Sequence, residues 1–285
     1  MTIPLENSNI SNSAPSSVES PELSGGLRKL VTLVKIGGNI IDDANELQQF
    51  LNDFSKIEGY KVLVHGGGKS ATKMAQSIGL VPQMIDGRRI TDAAMLEVVV
   101  MIYAGQINKN IVAQLQGHNT NAMGFSGADG NLIQSDKRNH PTIDYGFVGD
   151  VKSVNTPLLS TLLENSIIPV FCAITHDKQG QLLNTNADTI ASELAIALSE
   201  VYDVTLNYCF EKPGVLFDSE DDSSVILKMN ADLYSKLKEE KAIHSGMIPK
   251  LDNCFNSLSK GVKKIRIGHH SMLQNNDVIC TTIAL

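Results

Sequence analysis

"YKVLVHGGGKSATKMAQSIG" (Tyr60–Gly79) is the stretch on which the reading of this chain turns. Lys61-Val62-Leu63-Val64 has the apolar, branched content of a short buried strand. From Lys69 onward, Ala71, Met74, Ala75 and Ile78 recur at i, i+3, i+4 and i+7, which predicts a helix with that face turned to the core. Gly66-Gly67-Gly68 therefore sits at a strand-to-helix turn. Such a turn aims free backbone N–H groups from the positive end of a helix, a setting that suits an anion. Glycines there also serve a tight turn with positive φ. The stretch ends in Gly-Lys-Ser, yet it is no P-loop, because G-x-x-x-x-G-K-[ST] needs glycine where the chain has Leu63.

Similar units recur along the chain. "KLVTLVKIGG" (Lys29–Gly38) reads as a strand ending in glycines, followed by the helix "ANELQQFLNDFSKI" (Ala44–Ile57). Asp92–His118 reads as one long helix with Thr91 or Asp92 as its N-cap. "NAMGFSG" (Asn121–Gly127) is a strand and turn, "DYGFVGDVKSV" (Asp144–Val154) a hairpin element, and "TPLLSTLLENS" (Thr156–Ser166) a helix. "IIPVFCAI" (Ile167–Ile174) and "VYDVTLNYC" (Val201–Cys209) are strands that flank the apolar helix after "NTNAD" (Asn184–Asp188). Two late helices, a strand at Val262–Gly268 and an edge segment at Asp277–Leu285 complete the pattern. Alternating β and α of this kind implies an α/β fold, with a mainly parallel sheet covered by helices on both faces. The lobe boundary is expected after Glu200.

Composition narrows the function. The chain has 285 residues, 42% of them apolar, enough for one large α/β unit or two lobes sharing a sheet. A formal net charge of −7, with no basic cluster, argues against a nucleic-acid surface. Tryptophan is absent and aromatics make up 5%, so base-stacking platforms are not expected. Cys172, Cys209, Cys254 and Cys280 form no C-x-x-C pair and read as free thiols in a reducing compartment. The seven histidines show no metal-ligand spacing, and His269-His270 reads as a loop pair. No metal site is expected from the sequence.

Residues 1–26 hold seven Ser, three Asn and three Pro and neither Lys nor Arg, so they read as a disordered tail rather than a signal or transit peptide. The apolar runs are too short to span a bilayer. The expectation is a soluble, cytoplasmic protein.

Three features carry chemistry. Lys35, in "VKIGGN" (Val34–Asn39), ends a hydrophobic strand just before Gly37-Gly38, a second turn suited to an anion. Asn184, Asn186 and Asp188 share a turn before a helix, where Asp188 could also serve as an N-cap. Lys250 lies early in a late helix, in "HSGMIPK" (His244–Lys250). Two glycine turns at strand ends, two lysines in glycine settings and one carboxylate point to phosphate chemistry.

With these residues in view, the sequence resembles the amino-acid kinase family, and within it the members acting on N-acylated glutamate. "VKIGGN", "VHGGGKS", "GRRIT", "INKNIVAQL", "SGADG", "NTNADTIASELA", "PGVLFD" and "HSGMIPKLDNC" occur in the family's order from residue 30 to about 255. The resemblance implies a three-layer αβα sandwich in two lobes. Residues 27–200 would bind the acyl amino acid and 201–285 the nucleotide. The implied reaction is ATP-dependent phosphorylation of the side-chain carboxylate of N-acetyl-L-glutamate, on the route to arginine, with Mg²⁺ on the phosphates. N-succinyl-L-glutamate stays open as acceptor, because its pocket would look alike at motif level. So do another activity of the same fold and a catalytically silent binding protein.

The family's pattern further implies roles. Lys35 and Lys250 would neutralise charge on the transferring phosphoryl group, and Asp188 would hold both lysines. Gly67 and Gly68 would approach the acceptor carboxylate. Arg89 would clamp the substrate's other carboxylate, with Arg88 as the comparison residue. Asn184 would bind the acylamino end, and Gly37 and Gly38 would lie over the nucleotide phosphates. Carboxylate phosphorylation needs no general base, since the nucleophile is already ionised at neutral pH. Alignment and positive charge then carry catalysis. Two stretches depart from the family: "LNYCFEKPGVL" (Leu206–Leu216) lacks its aspartate, and "CTTI" (Cys280–Ile283) stands for Gly-Thr-x-Ile. The resemblance implies dimers, or hexamers where an added N-terminal helix brings regulation by arginine; a tail without helical periodicity favours an arginine-insensitive homodimer.

Overall fold

β1 (Leu30–Ile36) runs through the middle of an eight-stranded sheet and fixes everything around it. It pairs in parallel with β2 (Tyr60–His65) on one side and with the strand Asp203–Cys209 on the other. The computed structural model describes residues 27–85, 88–240, 242–243, 247–275 and 277–285. The expected tail at 1–26 lies outside the described residues.

From one edge the strand order is Lys228–Met229, Thr281–Ile283, Lys264–Gly268, Asp203–Cys209, β1, β2, Ile168–Phe171 and Ala122–Phe125. Neighbours are parallel except Lys264–Gly268 and Thr281–Ile283, which run antiparallel. The last segment is therefore not an edge. Its outer side is covered by the two-residue strand Lys228–Met229, which carries too little pattern to be seen in sequence.

Side-chain alternation sets the layers. Lys35 pairs in register with Tyr208, and both reach the helix Ala187–Ser199: Lys35 through Asp188, Tyr208 through Ser192. One residue on, Ile36 pairs with His65, whose ring meets Asn108 in the long helix. With a period of two, these contacts lie on opposite faces, so helices cover the sheet on both sides. The expected αβα layering is present. Phe50, Phe54, Leu63, Phe171 and Leu194, all fully buried, belong to one continuous core.

The glycine turns form as expected. β1 leads into α1 (Gly38–Asp42) and α2 (Ala44–Ser55), where Asp43 caps α2 by accepting from the N–H groups of Asn45 and Glu46. β2 leads into α3 (Gly68–Ser77). The apolar stripe predicted for α3 is only half realised: Ala71 and Ala75 are buried, but Met74 and Ile78 are 38% and 56% exposed. The helix lies at the rim of the sheet, and its later turns face an open groove with Ile102 and Gln106.

The predicted long helix is continuous over 93–117 with Asp92 as its cap, but Met101–Ile107 winds as a π-helix. A second sheet of four strands, Leu182–Asn184, Ile174–His176, Ile133–Lys137 and Gly149–Val154 in that order, stands beside the end of β2. The hairpin element expected at Asp144–Val154 supplies its last strand.

Candidate active site

In open parallel sheets the carboxyl ends of the strands are where ligands bind. Here β1, β2 and Asp203–Cys209 end level with one another, at Ile36, His65 and Cys209. The Gly66–Gly68 turn, Arg89, Tyr103, Asn184 and Asn186 line a cavity of about 190 Å³ at that end.

Gly67 has φ 154°, and a Cβ there would stand 2.4 Å from Ile107 Cδ1 and 2.9 Å from the Tyr103 ring. Only glycine fits, and the π-helical segment is what presses Tyr103 and Ile107 against it. Beneath the turn, His65 is fully buried; its Nδ1 lies 2.8 Å from the Gly66 carbonyl and its Nε2 3.1 Å from Asn108 Nδ2. Burial pushes the His65 pKa down to about 4, so the ring is neutral. Nδ1–H then donates to Gly66, and Nε2 accepts from the Asn108 amide, which also donates to the Val170 carbonyl at 2.9 Å. Asn108 gives the "INKNIVAQL" stretch a physical role: it ties the glycine turn to two strands.

Arg89 is 7% exposed. Its Nη2 donates to the Gly68 carbonyl and to Thr72 Oγ1, both at 2.8 Å. These bonds fix one edge of the guanidinium to the glycine turn while the residue lines the cavity. Asn184 is positioned by Thr91 Oγ1, 3.0 Å from its Nδ2. Arg88 lines the same cavity as Arg89, so it is not the independent comparison that the motif suggested.

Asp188 follows the cavity residues Asn186 and Ala187. Asn186 caps its helix by accepting from the Asp188 and Thr189 N–H groups, which corrects the reading of Asp188 as the cap. Freed from capping, the Asp188 carboxylate meets Lys35 Nζ at 2.7 Å on Oδ1 and Lys250 Nζ at 2.8 Å on Oδ2. The Lys250 contact is a hydrogen bond; the Lys35 contact is an ion pair off the hydrogen-bond direction of Oδ1. Burial pushes the Asp188 carboxyl up, but Lys250 and Lys35 together outweigh it and hold the group below the usual carboxylate range. Burial drives Lys35 the other way: its pKa is lowered, with Asp188 opposing the shift and Lys250 adding to it. Lys250 Nζ also sits 4.6 Å from the Tyr208 ring centroid, and the Tyr208 hydroxyl donates to the Asp188 carbonyl at 3.2 Å.

The second glycine turn lies alongside. The Gly37 N–H donates to the Cys209 carbonyl at 2.8 Å, and a Cβ on Gly37 would come 3.3 Å from Phe210 Cβ. Lys69 at the start of α3 donates to Asn39, and Ser70 to Asp42 at 2.7 Å, so side chains join the two turns. The fold thus brings Lys35, Asp188 and Lys250 into contact and puts Gly67, Gly68, Arg89 and Asn184 around one cavity.

A family profile, the amino acid kinase family, matches residues 31–269. The chain belongs to the amino acid kinase family. An acetylglutamate kinase from Parabacteroides distasonis is 54% identical over 241 residues, covering 85% of this chain and 94% of that protein. One from Bacteroides thetaiotaomicron is 50% identical over 251 residues, covering 88% and 98%. Among solved structures, N-acetylglutamate synthase from Neisseria gonorrhoeae has a TM-score of 0.77 at 19% identity, over 90% of this chain and 59% of its own, a likeness of fold alone.

For an amino acid kinase, sequence reasoning left out the residues that position others: Tyr103, Thr72, Tyr208, and the His65–Asn108 pair. His65 stands in the quoted glycine stretch, and a histidine ending an apolar strand was the available signal. Tyr103 and Tyr208 look like core aromatics and give none.

Proposed function

We propose that this chain is an ATP-dependent kinase that phosphorylates the side-chain carboxylate of N-acetyl-L-glutamate, in arginine biosynthesis. One observation carries the reading: two largely buried lysines converge on a single carboxylate beside a cavity lined by two arginines, two asparagines and three glycines. Acetylglutamate kinases at 50–54% identity over most of the chain support the same acceptor.

The acceptor's α-carboxylate would pair with Arg89, whose planar fork suits a carboxylate. Its acetylamino end would meet Asn184. Its side-chain carboxylate would lie at the Gly67–Gly68 turn, facing the N–H groups at the start of α3. That oxygen attacks the γ-phosphorus of ATP; a carboxylate–phosphorus bond forms, the bond to the bridging oxygen breaks, and ADP leaves. Lys35 and Lys250 would stand over the phosphoryl oxygens, where charge shifts during transfer. Asp188 keeps the two cations together without binding substrate.

Kinase chemistry implies ATP. We place its phosphates over Gly37 and Gly38 and its adenosine in the cavity of about 550 Å³ lined by Phe210, Gly214, Leu216 and Met247. Residues 27–200 would then form the acyl-amino-acid lobe and 201–285 the nucleotide lobe. Both Asp188 oxygens face lysines; among the described residues no carboxylate lines the cavity at the Gly66–Gly68 turn, and Asp218 is the single one lining the nucleotide cavity. The protein does not present a Mg²⁺ cage there, so any Mg²⁺ enters on the nucleotide. We also propose a homodimer in the cytoplasm, as the family resemblance implies; the groove along α3 and the long helix is of mixed character, with exposed Met74 beside Ser70, Lys73, Gln106 and Asn110. No helix among the described residues is long and apolar enough to cross a membrane.

ADP release measured with N-acetyl-L-glutamate, N-succinyl-L-glutamate, L-glutamate, L-aspartate and carbamate tests the assignment. N-acetyl-L-glutamate should give the highest kcat/KM. A higher value for carbamate or L-aspartate would refute the acceptor.

A further inference from the structure

Glu46, His269 and His270 take no part in the reaction above, yet the fold assembles them. Glu46 lies in the first turn of α2, and His269 caps the short 3-10 turn His270–Leu273 that follows the strand Lys264–Gly268. His270, read from sequence as part of a loop pair, is in fact 3% exposed. Its Nδ1 lies 2.9 Å from Asp53 Oδ2. A carboxylate at that distance takes the Nδ1 proton in a hydrogen bond and leaves the imidazole lone pair on Nε2. That Nε2 is buried and has no hydrogen-bond partner. Glu46 Oε2 stands 3.5 Å away without hydrogen-bond geometry, and His269 Nε2 stands 3.8 Å from the same oxygen.

A buried, unpartnered nitrogen whose tautomer is fixed by a second carboxylate is the arrangement of a metal-ligating histidine. The ligand atoms of Glu46, His269 and His270 all lie within 4.8 Å of one another. A tetrahedral ion with bonds of about 2.0–2.1 Å spaces its ligands roughly 3.3 Å apart, so little closure is required. As the cap, His269 Nδ1 accepts from the Ser271 N–H at 3.3 Å; ligation through Nε2 would exchange that bond for donation from Nδ1–H to Ser271 Oγ, 3.0 Å away.

We propose that Glu46, His269 and His270 bind one divalent transition-metal ion of the zinc class, with water on the open side. Glu46 and His269 are 44% and 34% exposed, which leaves room for that fourth ligand. Two imidazoles and one carboxylate select Zn²⁺, Co²⁺, Ni²⁺ or Cu²⁺ over the hard ions Mg²⁺ and Ca²⁺. The ion would join α2, which follows the Gly37–Gly38 turn, to the end of Lys264–Gly268, whose last carbonyl accepts from the Phe210 N–H at 3.1 Å. It therefore bridges the two proposed lobes.

The test uses the full chain, freed of metal by a chelator and titrated with Zn²⁺ alone, without nucleotide, against a chromogenic competitor. Wild type should bind one ion per chain. His269→Ala and Glu46→Gln, both at partly exposed positions that tolerate change, should weaken binding by more than about 100-fold, beyond the range for outer-shell losses. Asp53→Asn should weaken it by about 10–100-fold. Co²⁺ should give the visible bands of a tetrahedral site in wild type and not in His269→Ala. No binding by wild type, or stoichiometric binding that survives both His269→Ala and Glu46→Gln, overturns the proposal. The cluster would then be a plain polar contact between α2 and the 3-10 turn.

Discussion

Asp188→Asn removes one charge and almost no volume from the centre of the site. The carboxylate holds Lys35 at 2.7 Å and Lys250 at 2.8 Å, and the three side chains are only 13–20% exposed. Taking one partner from a buried ion pair costs about 3–5 kcal/mol, because the remaining charge is left uncompensated. Here two cations lose the same partner. Lys35, its pKa already lowered by burial, would shed its proton first. Losing one preorganised charged donor costs about 10²–10³ in kcat, and Asp188→Asn should reach at least that. KM for N-acetyl-L-glutamate should change only a few-fold, since Arg89 and Asn184 are untouched. The pH profile gives a second sign. Without Asp188 the Lys35 pKa falls further, so the variant should lose its residual activity at lower pH than wild type does. Steady-state kinetics across pH would measure both. A variant with near-normal kcat and an unshifted basic limb would refute the assignment of Asp188 as the holder of the two lysines.

Arg89→Lys cannot keep both the Gly68 and Thr72 bonds and a planar face toward the cavity. It should raise KM for the acyl amino acid about 10-fold, the loss of one charge-assisted bond, while leaving KM for ATP near wild type in the same assay. Gly67→Ala drives a Cβ to 2.4 Å from Ile107 Cδ1. Overpacking of this kind costs about 1–3 kcal/mol, which thermal melting should register, and the shifted turn should lower kcat/KM by about 10²-fold. His65 bears on acid stability. Its folded pKa, about 4, lies below the ordinary 6.5, so between those values the unfolded chain binds a proton that the folded chain refuses. Stability is therefore lost as pH falls through that window, by up to about 3 kcal/mol. His65→Gln should flatten that part of a denaturant-unfolding series, and an unchanged slope would contradict the buried neutral ring.

Strand-to-helix units were legible because apolar runs, glycines and helical periodicity are local signals. β1, β2 and the helix at Ala187–Ser199 are all of that kind. Lys35, Asp188 and Lys250 could be named as site residues only through the ordered motifs, since their meeting depends on the register of β1 against Asp203–Cys209. The cap of the Asp188 helix went to Asn186, two residues earlier, because both side chains have capping chemistry and only the backbone path separates them. The π-helical segment at Met101–Ile107 left no mark in composition, and we have no local cause for it. Met74 and Ile78 followed the helical period yet stayed exposed, since periodicity cannot say what faces a rim helix. His270 was hidden for the opposite reason: its partners Glu46 and Asp53 lie more than two hundred residues away in sequence.

The central claim is that a carboxylate, rather than an amine or a phosphate, receives the phosphoryl group. Hydroxylamine intercepts an acyl phosphate as a stable hydroxamate, so the measurement is hydroxamate formed per ADP released. With ATP and N-acetyl-L-glutamate the ratio should be close to one, and no hydroxamate should form when ATP is left out. ADP release without hydroxamate would contradict it, whereas as much hydroxamate from unacylated L-glutamate would overturn only the acylated acceptor.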